Sequence, residues 1–491
     1  MKKLLLILFI PWLAQAQSFG SFVVENTNFK QLFNKYRVAS PDKIPWVGSW
    51  WAFKRNGTTY NGMYGKNSNE MGPTQKFESF YGLGDAATKW EAANNTCDKL
   101  KKDDQIESCK GWWGHCNAWA GAAIKEVEPR EAFLGENDIG EKMVFTIADQ
   151  KAYLTEIYME TNSSFVGKRN NQEKGDWIFD KDHKTSKALK NPKYPYLGTK
   201  YEAFWDVTPR QFLLVFTNYI GIRRIGIVID RYTGSQVWNQ PIAGYRILPI
   251  LNEHIKEPEV RDGKTVFPVL VRMKMYWAED GVGELEISKS FDINRTNDEF
   301  KYKEHYNKHY SGRSLAFYLF FDQELKVSKD GKKIKTAGKI IGDGIWFHQT
   351  EEGAKDWKGV IENTHPDFMW LPNELISKKR GRSRPPVLTE ERVRDLFADK
   401  KEIKEQRENL EKRVDNLNSL AKFKKLQKDV LSFREKGLIS ERAMVEILIN
   451  LKRNSIIFVD NPTDFIRLVK TGMKKPSNKY KLGPRSLSQK T

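Results

Sequence analysis

The segment from residue 111 to 124 constrains this chain most, because it places one cysteine between a glycine-containing aromatic turn and an alanine-rich helical run. Cys116 follows Trp112, Trp113 and Gly114 in this segment. A cysteine in the first turn of a helix lies near the positive end of the helix dipole, which stabilises the thiolate. The pattern therefore predicts a nucleophilic Cys116. The alternative is a buried structural cysteine beside core tryptophans.

Residues 1–16 have the three parts of a secretory signal. The basic start Met1-Lys2-Lys3 is followed by an apolar run at 4–13 and by the small-residue site Ala14-Gln15-Ala16. The apolar run is too short for a permanent membrane span, so we expect cleavage near Ala16. No cysteine follows the cleavage site to carry a lipid anchor. The mature protein is therefore expected to be secreted or periplasmic.

The chain has three cysteines, Cys97, Cys109 and Cys116. Export exposes them to oxidising conditions, and an odd number leaves one unpaired. A disulfide between Cys97 and Cys109 would close a short polar loop, contribute roughly 3 kcal/mol of stability and leave Cys116 free. The alternative, a pairing of Cys109 with Cys116, would block the predicted nucleophile.

At 491 residues the chain is too long for one compact core. Residues 373–491 contain 30 lysines and arginines against 16 acidic residues, which is +14 of the formal net charge of +19. Such a basic segment predicts binding to an anionic polymer or a membrane surface, although it can also be a solvated face. The expected division is a signal peptide at 1–16, a catalytic domain at 17–372, a basic linker at 373–388, a helical basic region at 389–475 and a disordered tail at 476–491.

Hydrophobic periodicity predicts helices first and an antiparallel sheet afterwards, which is an α+β arrangement. Thr208 and Pro209 have the residue types of an N-cap and a first-turn proline. The expected helices lie at residues 85–94, 116–128, 148–160 and 208–220. The expected strands lie at 224–230, 235–248, 265–277, 314–322 and 339–347, the first two joined by a turn at 232–234.

A cysteine nucleophile needs a histidine to accept its proton and a polar group to orient that histidine. His115 adjoins Cys116, but consecutive side chains on a helix diverge by about 100°. Of the seven histidines, His365 is the preferred base, because it lies beside Asp367 among aromatic residues and follows an apolar sheet segment. His348 is the alternative.

The orienting group is expected to be Asp230, at the end of a predicted strand, or Asn239 in the next one. The sequence contains no Cys-x-x-Cys pair, no His-Glu-x-x-His and no Walker loop. We therefore expect no metal and no nucleotide cofactor.

Five stretches make the chain similar to the elicitor-type transglutaminase family, which is described from oomycete cell-wall glycoproteins and bacteria. The most specific is Val237-Trp238-Asn239-Gln240-Pro241, continued by Ile242-Ala243-Gly244-Tyr245-Arg246. The others are the aromatic patch at 46–51, the Gly72-Pro73 to Lys76-Phe77 segment, the cysteine motif at 112–119 and the closing motif at 365–372.

This resemblance implies a papain-like α+β core, with N-terminal helices packed on an antiparallel sheet and a C-terminal helical region that has no counterpart in the family. It also implies acyl transfer from glutamine to lysine or another amine through a thioester on Cys116, with protein or peptide substrates at the cell envelope. The expected substrate-binding residues are Trp112, Trp113, Trp238 and Asn239.

The chain also departs from the family pattern. Leu213 stands where the pattern has a histidine, and Asn170 follows Gly167-Lys168-Arg169 where the pattern has a cysteine. If the missing histidine is the base, the chain is a non-catalytic envelope-binding protein on the same fold. A third alternative is hydrolysis on this core, by a cysteine protease or amidase.

Overall fold

The fold combines helices with a large antiparallel β-sheet. The computed structural model describes residues 17–59, 71–95, 97, 111–137, 139–169, 206–231, 236–347, 365–376, 383–397 and 428. The predicted signal peptide, the turn at 232–234, Cys109, His348 and most of the predicted C-terminal helical region lie outside this set.

Six α-helices lie wholly within the described residues, together with several short helical segments. The α-helices are α1 (Phe29–Tyr36), α2 (Pro73–Phe80), α3 (Ala86–Asn94), α4 (Cys116–Lys125), α5 (Ile147–Ile157) and α6 (Pro209–Val215). A π-helix at Phe216–Ile222 continues α6, and 3₁₀ turns lie at Phe53–Arg55, Gly57–Thr59, Asn252–His254 and Ile293–Arg295. None of the described helices is long and apolar enough to cross a membrane.

The described strands belong to one large sheet and three small hairpins. They are β1 (Gln17–Phe19), β2 (Phe22–Val24), β3 (Val38–Ala39), β4 (Phe133–Glu136), β5 (Lys142–Phe145), β6 (Thr161–Gly167), β7 (Val228–Asp230), β8 (Asn239–Ile247), β9 (Glu259–Arg261), β10 (Lys264–Ala278), β11 (Glu304–Asn307), β12 (Tyr310–Phe321), β13 (Lys326–Val327), β14 (Ile334–Thr336), β15 (Ile340–Trp346) and β16 (Phe368–Leu375).

The large sheet has ten strands, and its main path runs β11-β12-β10-β8-β7-β16-β6. Strands β15, β3 and β9 pair with β12, β8 and β10, and every pairing is antiparallel. The late strand β16 therefore lies between β6 and β7, which come from much earlier in the chain. This insertion brings the closing motif next to the strands that follow the cysteine motif.

The chain divides into two compact units. The first contains residues up to 130 and 147–390, with all of the large sheet. The second contains residues 131–146 and 391–491, of which the β4–β5 hairpin and residues 391–397 are the main described part. Within it, Phe133 stacks on Phe145 at 5.1 Å and meets the edge of Phe397 at 6.5 Å. The predicted boundary at residue 372 falls inside β16.

Several predicted elements coincide with observed ones, and their bounds differ by a few residues. The helix predicted at 208–220 is α6 continued by the π-helix, and Thr208 caps it: its Oγ1 accepts from the backbone of Gln211, and the Gln211 side chain accepts from the Thr208 backbone. The strand predicted at 224–230 is shorter, because β7 begins only at Val228.

Small residues let α4 pack closely on its neighbours. A side chain at Gly121 would lie 3.2–3.3 Å from the rings of Tyr158 and Trp370, and one at Gly48 would overlap the fully buried indole of Trp119. Trp119 of the cysteine motif and Trp46 of the 46–51 patch pack edge to face in the core, with ring centroids 6.5 Å apart. This core holds the N-terminal end of α4 in place.

Lys151 on α5 is a buried cation that holds three segments together. Its Nζ donates to the carbonyl oxygens of Val47 and Glu286 at 2.7 Å each and pairs with Glu128 at 3.1 Å. Burial lowers the pKa of Lys151, and the charge of Glu128 opposes that effect. Three protein oxygens therefore take the place of the water molecules that would hydrate the Lys151 ammonium in solution.

We expect Lys151→Met to lower the free energy of unfolding by about 3 kcal/mol, because Glu128 and two buried carbonyls lose their donor. Chemical denaturation measures the effect. Lys89→Met is the matched control, since Lys89 forms an exposed pair with Asp85 and its loss should leave stability unchanged. Equal stability of the two variants would contradict this role of Lys151.

Candidate active site around Cys116

Cys116 is the first residue of α4, and His115 is the N-cap. The turn before it is tightly packed. A Cβ atom at position 114 would lie 2.2 Å from the carbonyl oxygen of Trp50, so every residue other than glycine would clash there. The backbone N–H of His115 donates to the same oxygen at 2.6 Å. The glycine of the motif is therefore required for the close approach that fixes the start of the helix.

The sulfur lies in a cavity of about 530 Å³. Seven aromatic side chains line it, and these are Phe53, Trp112, Trp113, Tyr158, Phe165, Phe368 and Trp370. The wall also contains polar side chains, which are those of Asn117, Thr161, Ser163, Arg169 and Asn239. Met159 and Val237 complete it beside the sulfur. The wall thus combines aromatic rings with polar groups in similar measure, and a concave site of this kind can hold a substrate side chain.

Strand alternation explains which residues face this cavity. Trp370 on β16 is paired with Phe165 on β6 and with Val228 on β7, and directly opposed residues share a face of the sheet. Asp230 is paired with Asn239 on β8, two positions along from Val228. The Cys116 face therefore includes Trp370, Phe165, Asp230 and Asn239.

Asn239 contacts the sulfur directly. Its Nδ2 donates to the Cys116 Sγ at 3.5 Å, and its Oδ1 accepts from the indole Nε1 of Trp370 at 2.8 Å. Because the indole can only donate, it fixes the orientation of the amide and points the N–H groups at the sulfur. The Cys116 thiol is 3.7 Å from the carbonyl oxygen of Val237 and can donate to it.

Burial raises the pKa of the Cys116 thiol to about 11. The hydrogen bond from Asn239 opposes this shift, whereas the charges of Asp280 and Asp230 add to it. The thiol is only 6 % exposed. Burial is therefore the largest influence on the thiol, and Cys116 is protonated at neutral pH in this arrangement.

Asp230 is fully buried beside the site, and its Oδ1 accepts from the backbone N–H of Trp238 at 2.9 Å. Asp280 was not predicted from the sequence; burial raises its pKa to about 6, and the positive charge of Arg231 opposes the rise. It follows the long strand β10, and an acid after a strand is also the pattern of an ordinary turn. The sequence around Asp280 therefore did not distinguish it from an ordinary turn residue.

The structure does not bring His365 into the cavity. Its Nδ1 lies 3.1 Å from the Asp206 carboxylate, and its ring stacks on Trp346 at 4.3 Å. Phe368 and Trp370 line the cavity, but His365 is not one of the described residues that do so. The aromatic neighbours Phe368 and Trp370 lie on one face of β16, whereas His365 precedes this strand and packs on Trp346 instead.

The other predicted residues are distributed as follows. Trp112 and Trp113 line the cavity, whereas Trp238 is outside its described lining and donates from Nε1 to the Gln236 side chain at 3.1 Å. Cys97 is disulfide-bonded and Cys116 is free. The predicted partner of Cys97, Cys109, lies outside the described residues.

Leu213, where the family pattern has a histidine, is a core residue of α6 with no exposed surface. Its neighbour Phe212 packs against Phe317 and Trp346 at 6.2 and 5.5 Å. Leucine at position 213, in place of the histidine of the family pattern, therefore fits the apolar surroundings of this position.

Comparison with known proteins confirms the family resemblance over part of the chain. The family model described as transglutaminase elicitor matches residues 85–260, which include Cys116, Asp230 and Asn239. Among solved structures, the GP42 transglutaminase from Phytophthora sojae is similar at 16 % identity with a TM-score of 0.46, over 74 % of this chain and 90 % of that one. No match is found among curated protein sequences.

We expect Asn239→Leu to slow the alkylation of Cys116 by iodoacetamide about three- to tenfold at pH 8, because the thiolate loses its hydrogen-bond donor and the thiol pKa rises further. The rate is measured by mass spectrometry of the native protein. The variant should also be about 1–3 kcal/mol less stable, since Trp370 loses its acceptor.

Asn34→Leu is the matched control. The Asn34 amide also makes two hydrogen bonds, both to the backbone of Ile334. This variant should lose stability without a change in the Cys116 rate. A rate that falls equally in both variants would show that Asn239 acts only through the fold.

Proposed function

We propose that the protein is a transglutaminase-like cysteine acyltransferase that joins glutamine side chains to lysines or other amines. The observation that carries the proposal is the Cys116 sulfur in an aromatic cavity, with the Asn239 amide directed at it. The match of the transglutaminase elicitor family to residues 85–260 supports the same reaction class.

In the first step the Cys116 sulfur attacks the carbon of a glutamine carboxamide. A C–S bond forms, the carbonyl oxygen becomes an oxyanion, and the C–N bond then breaks. The thiol proton leaves with the amino group, so that the products are a thioester and ammonia. A substrate amine next attacks the thioester, its C–N bond forms, the C–S bond breaks, and the sulfur regains a proton.

Two kinds of donor can stabilise the charge that develops. The Nδ2 of Asn239 already points at the sulfur, where it can stabilise the thiolate or the adjacent oxyanion. The backbone N–H groups at the start of α4 have no partner inside the helix and face the same region. We do not assign the general base to His365, because its described contacts are with Asp206 and Trp346.

The aromatic wall favours transfer over hydrolysis. Trp112, Trp113 and Trp370 surround the site of the thioester with apolar surface, which limits water at the second step. The proposed substrates are proteins or peptides at the cell envelope, reached after secretion. The basic residues after 373 would hold the protein on an anionic polymer or a membrane surface.

The second candidate is a non-catalytic binding protein on the same fold. It is favoured by one observation: burial raises the pKa of Cys116 to about 11, and the neighbouring charges that act on the thiol are the carboxylates of Asp280 and Asp230. In this case the cavity binds a ligand without acyl transfer.

The test is incorporation of a fluorescent primary amine into a glutamine-containing peptide by the mature protein, with ammonia release followed in parallel. We expect incorporation by the wild type and a loss of at least about a hundredfold in Cys116→Ser and Cys116→Ala, because both lack the thiolate nucleophile. Circular dichroism of the variants establishes that they are folded.

Each other outcome has a distinct meaning. Equal incorporation by the cysteine variants would exclude Cys116 as the nucleophile. Ammonia release or peptide cleavage without amine would indicate a hydrolase. No turnover between pH 7 and 9, combined with binding of the peptide, would favour the non-catalytic protein.

A further inference from the structure

Three ionisable side chains meet behind Cys116, and the proposed reaction does not use them. Glu91 on α3, His115 at the start of α4 and Glu156 on α5 are all fully buried. Their nitrogen and oxygen atoms lie within 4.8 Å of one another. Three helices are thus joined through charged groups that have no access to water.

The imidazole of His115 lies between two acceptors. Its Nε2 is 2.7 Å from Oε1 of Glu91, and its Nδ1 is 3.0 Å from the sulfur of Met159. The second oxygen of Glu91 accepts from the amide of Asn95 at 2.7 Å. Both ring nitrogens can donate in this arrangement, which favours the imidazolium. Burial acts to lower the pKa of His115, but the charge and the hydrogen bond of Glu91 oppose it and the pKa is raised.

Glu156 makes fewer hydrogen bonds than Glu91. Its Oε1 accepts from the hydroxyl of Thr58 at 2.6 Å and is 3.9 Å from the His115 ring, while its Oε2 is buried without a hydrogen bond. Burial, followed by the negative charge of Glu91, raises the pKa of Glu156 to about 8. His115 and Arg384 are the positive groups that oppose this shift. A neutral Glu156 beside the ion pair of His115 and Glu91 gives a cluster without net charge.

The distances favour a shared proton over a metal ion. Ligands of a tetrahedral ion at about 2.0–2.1 Å would be about 3.3 Å apart. The 2.7 Å between His115 and Glu91 is instead the length of a hydrogen bond between charged groups.

The cluster is connected to the proposed nucleophile through the backbone. The N–H of His115 donates to Trp50, and its carbonyl accepts from Trp119 at 2.9 Å in the first turn of α4. Cys116 is the next residue, and Met159 both contacts the His115 ring and lines the cavity. The position of the ring therefore sets the position of the thiol.

We propose that Glu91, His115 and Glu156 form a proton-sharing clamp that positions Cys116, in which His115 pairs with Glu91 and Glu156 carries a proton. The meaning of this clamp for catalysis rests on the proposed function, whereas its effect on the thiol can be measured without turnover. Loss of the proton places two buried carboxylates side by side, which loosens the start of α4 and exposes the sulfur.

The pH profile of Cys116 alkylation by iodoacetamide tests the clamp. In the wild type the rate should rise near pH 8 by more than the tenfold per pH unit that thiolate formation gives. Glu156→Gln keeps a neutral acceptor for Thr58, so it should stay within about twofold of the wild type at pH 7 and lack the extra rise. Glu91→Gln removes the charge that raises the pKa of Glu156, so it should move the extra rise to lower pH by at least about one unit.

Glu78→Gln is the matched control. Glu78 is a buried carboxylate that accepts from the backbone and hydroxyl of Thr88 at 2.9 and 2.6 Å, outside the cluster. It should leave the inflection near pH 8 unchanged even if stability falls. The proposal is overturned if Glu156→Gln keeps the inflection, if Glu91→Gln does not move it, or if the native protein retains about one equivalent of a divalent metal that Glu156→Gln loses. Absence of acyl transfer alone would leave it standing.

Thermal stability gives an independent readout. The pKa of Glu156 is higher in the folded protein than in the unfolded chain, so its contribution is complete below the unfolded pKa and is lost as pH rises through about 8. We expect the Tm of the wild type to fall between pH 6.5 and 9 by several degrees more than that of Glu156→Gln, measured by differential scanning fluorimetry. Parallel curves for the two proteins would contradict a neutral Glu156.

Discussion

The amide of Asn239 joins the strand that carries the most specific family motif to the helix that carries the cysteine. Its oxygen is held by the indole of Trp370, and this contact leaves its N–H groups facing the sulfur of Cys116. Because an indole can only donate, the amide has one orientation that satisfies both neighbours. The arrangement of α4, β8 and β16 around the cavity is therefore coupled to the environment of one sulfur atom.

This environment combines two opposing effects. The aromatic wall that would protect a thioester from water also removes the hydration that a thiolate needs, and burial is the largest contribution to the raised pKa of Cys116. The carboxylates of Asp230 and Asp280 act in the same direction, and the amide of Asn239 acts against it. A bound substrate that brings a positive charge or displaces Asp280 would favour ionisation. The resting protein thus keeps its thiol in the less reactive form.

Local patterns predicted the helix at Cys116 and five of the ten strands of the large sheet, because alternation, capping residues and an alanine-rich run act within a few positions. Strands β6 and β16, which supply part of the cavity wall, were not predicted. The position of His365 could not be predicted, because it depends on contacts with Trp346 and with Asp206, which is 159 positions away in the sequence. The cluster of Glu91, His115 and Glu156 was not predicted either, because its members come from three helices and no local sequence pattern specifies how those helices pack.

Strand β16 lies between β6 and β7, although it is the last strand of the sheet in the sequence. The bond from Trp370 to Asn239 joins residues 131 positions apart. During synthesis Cys116 and its helix therefore emerge long before strand β16, which supplies part of the cavity wall. Until the chain beyond residue 375 is available, β6 and β7 lack the neighbour that separates them, and the thiol is open to oxidants and to other nascent chains. A chaperone that binds the chain during this interval would protect the Cys116 thiol from oxidation and would also protect the incomplete sheet from aggregation.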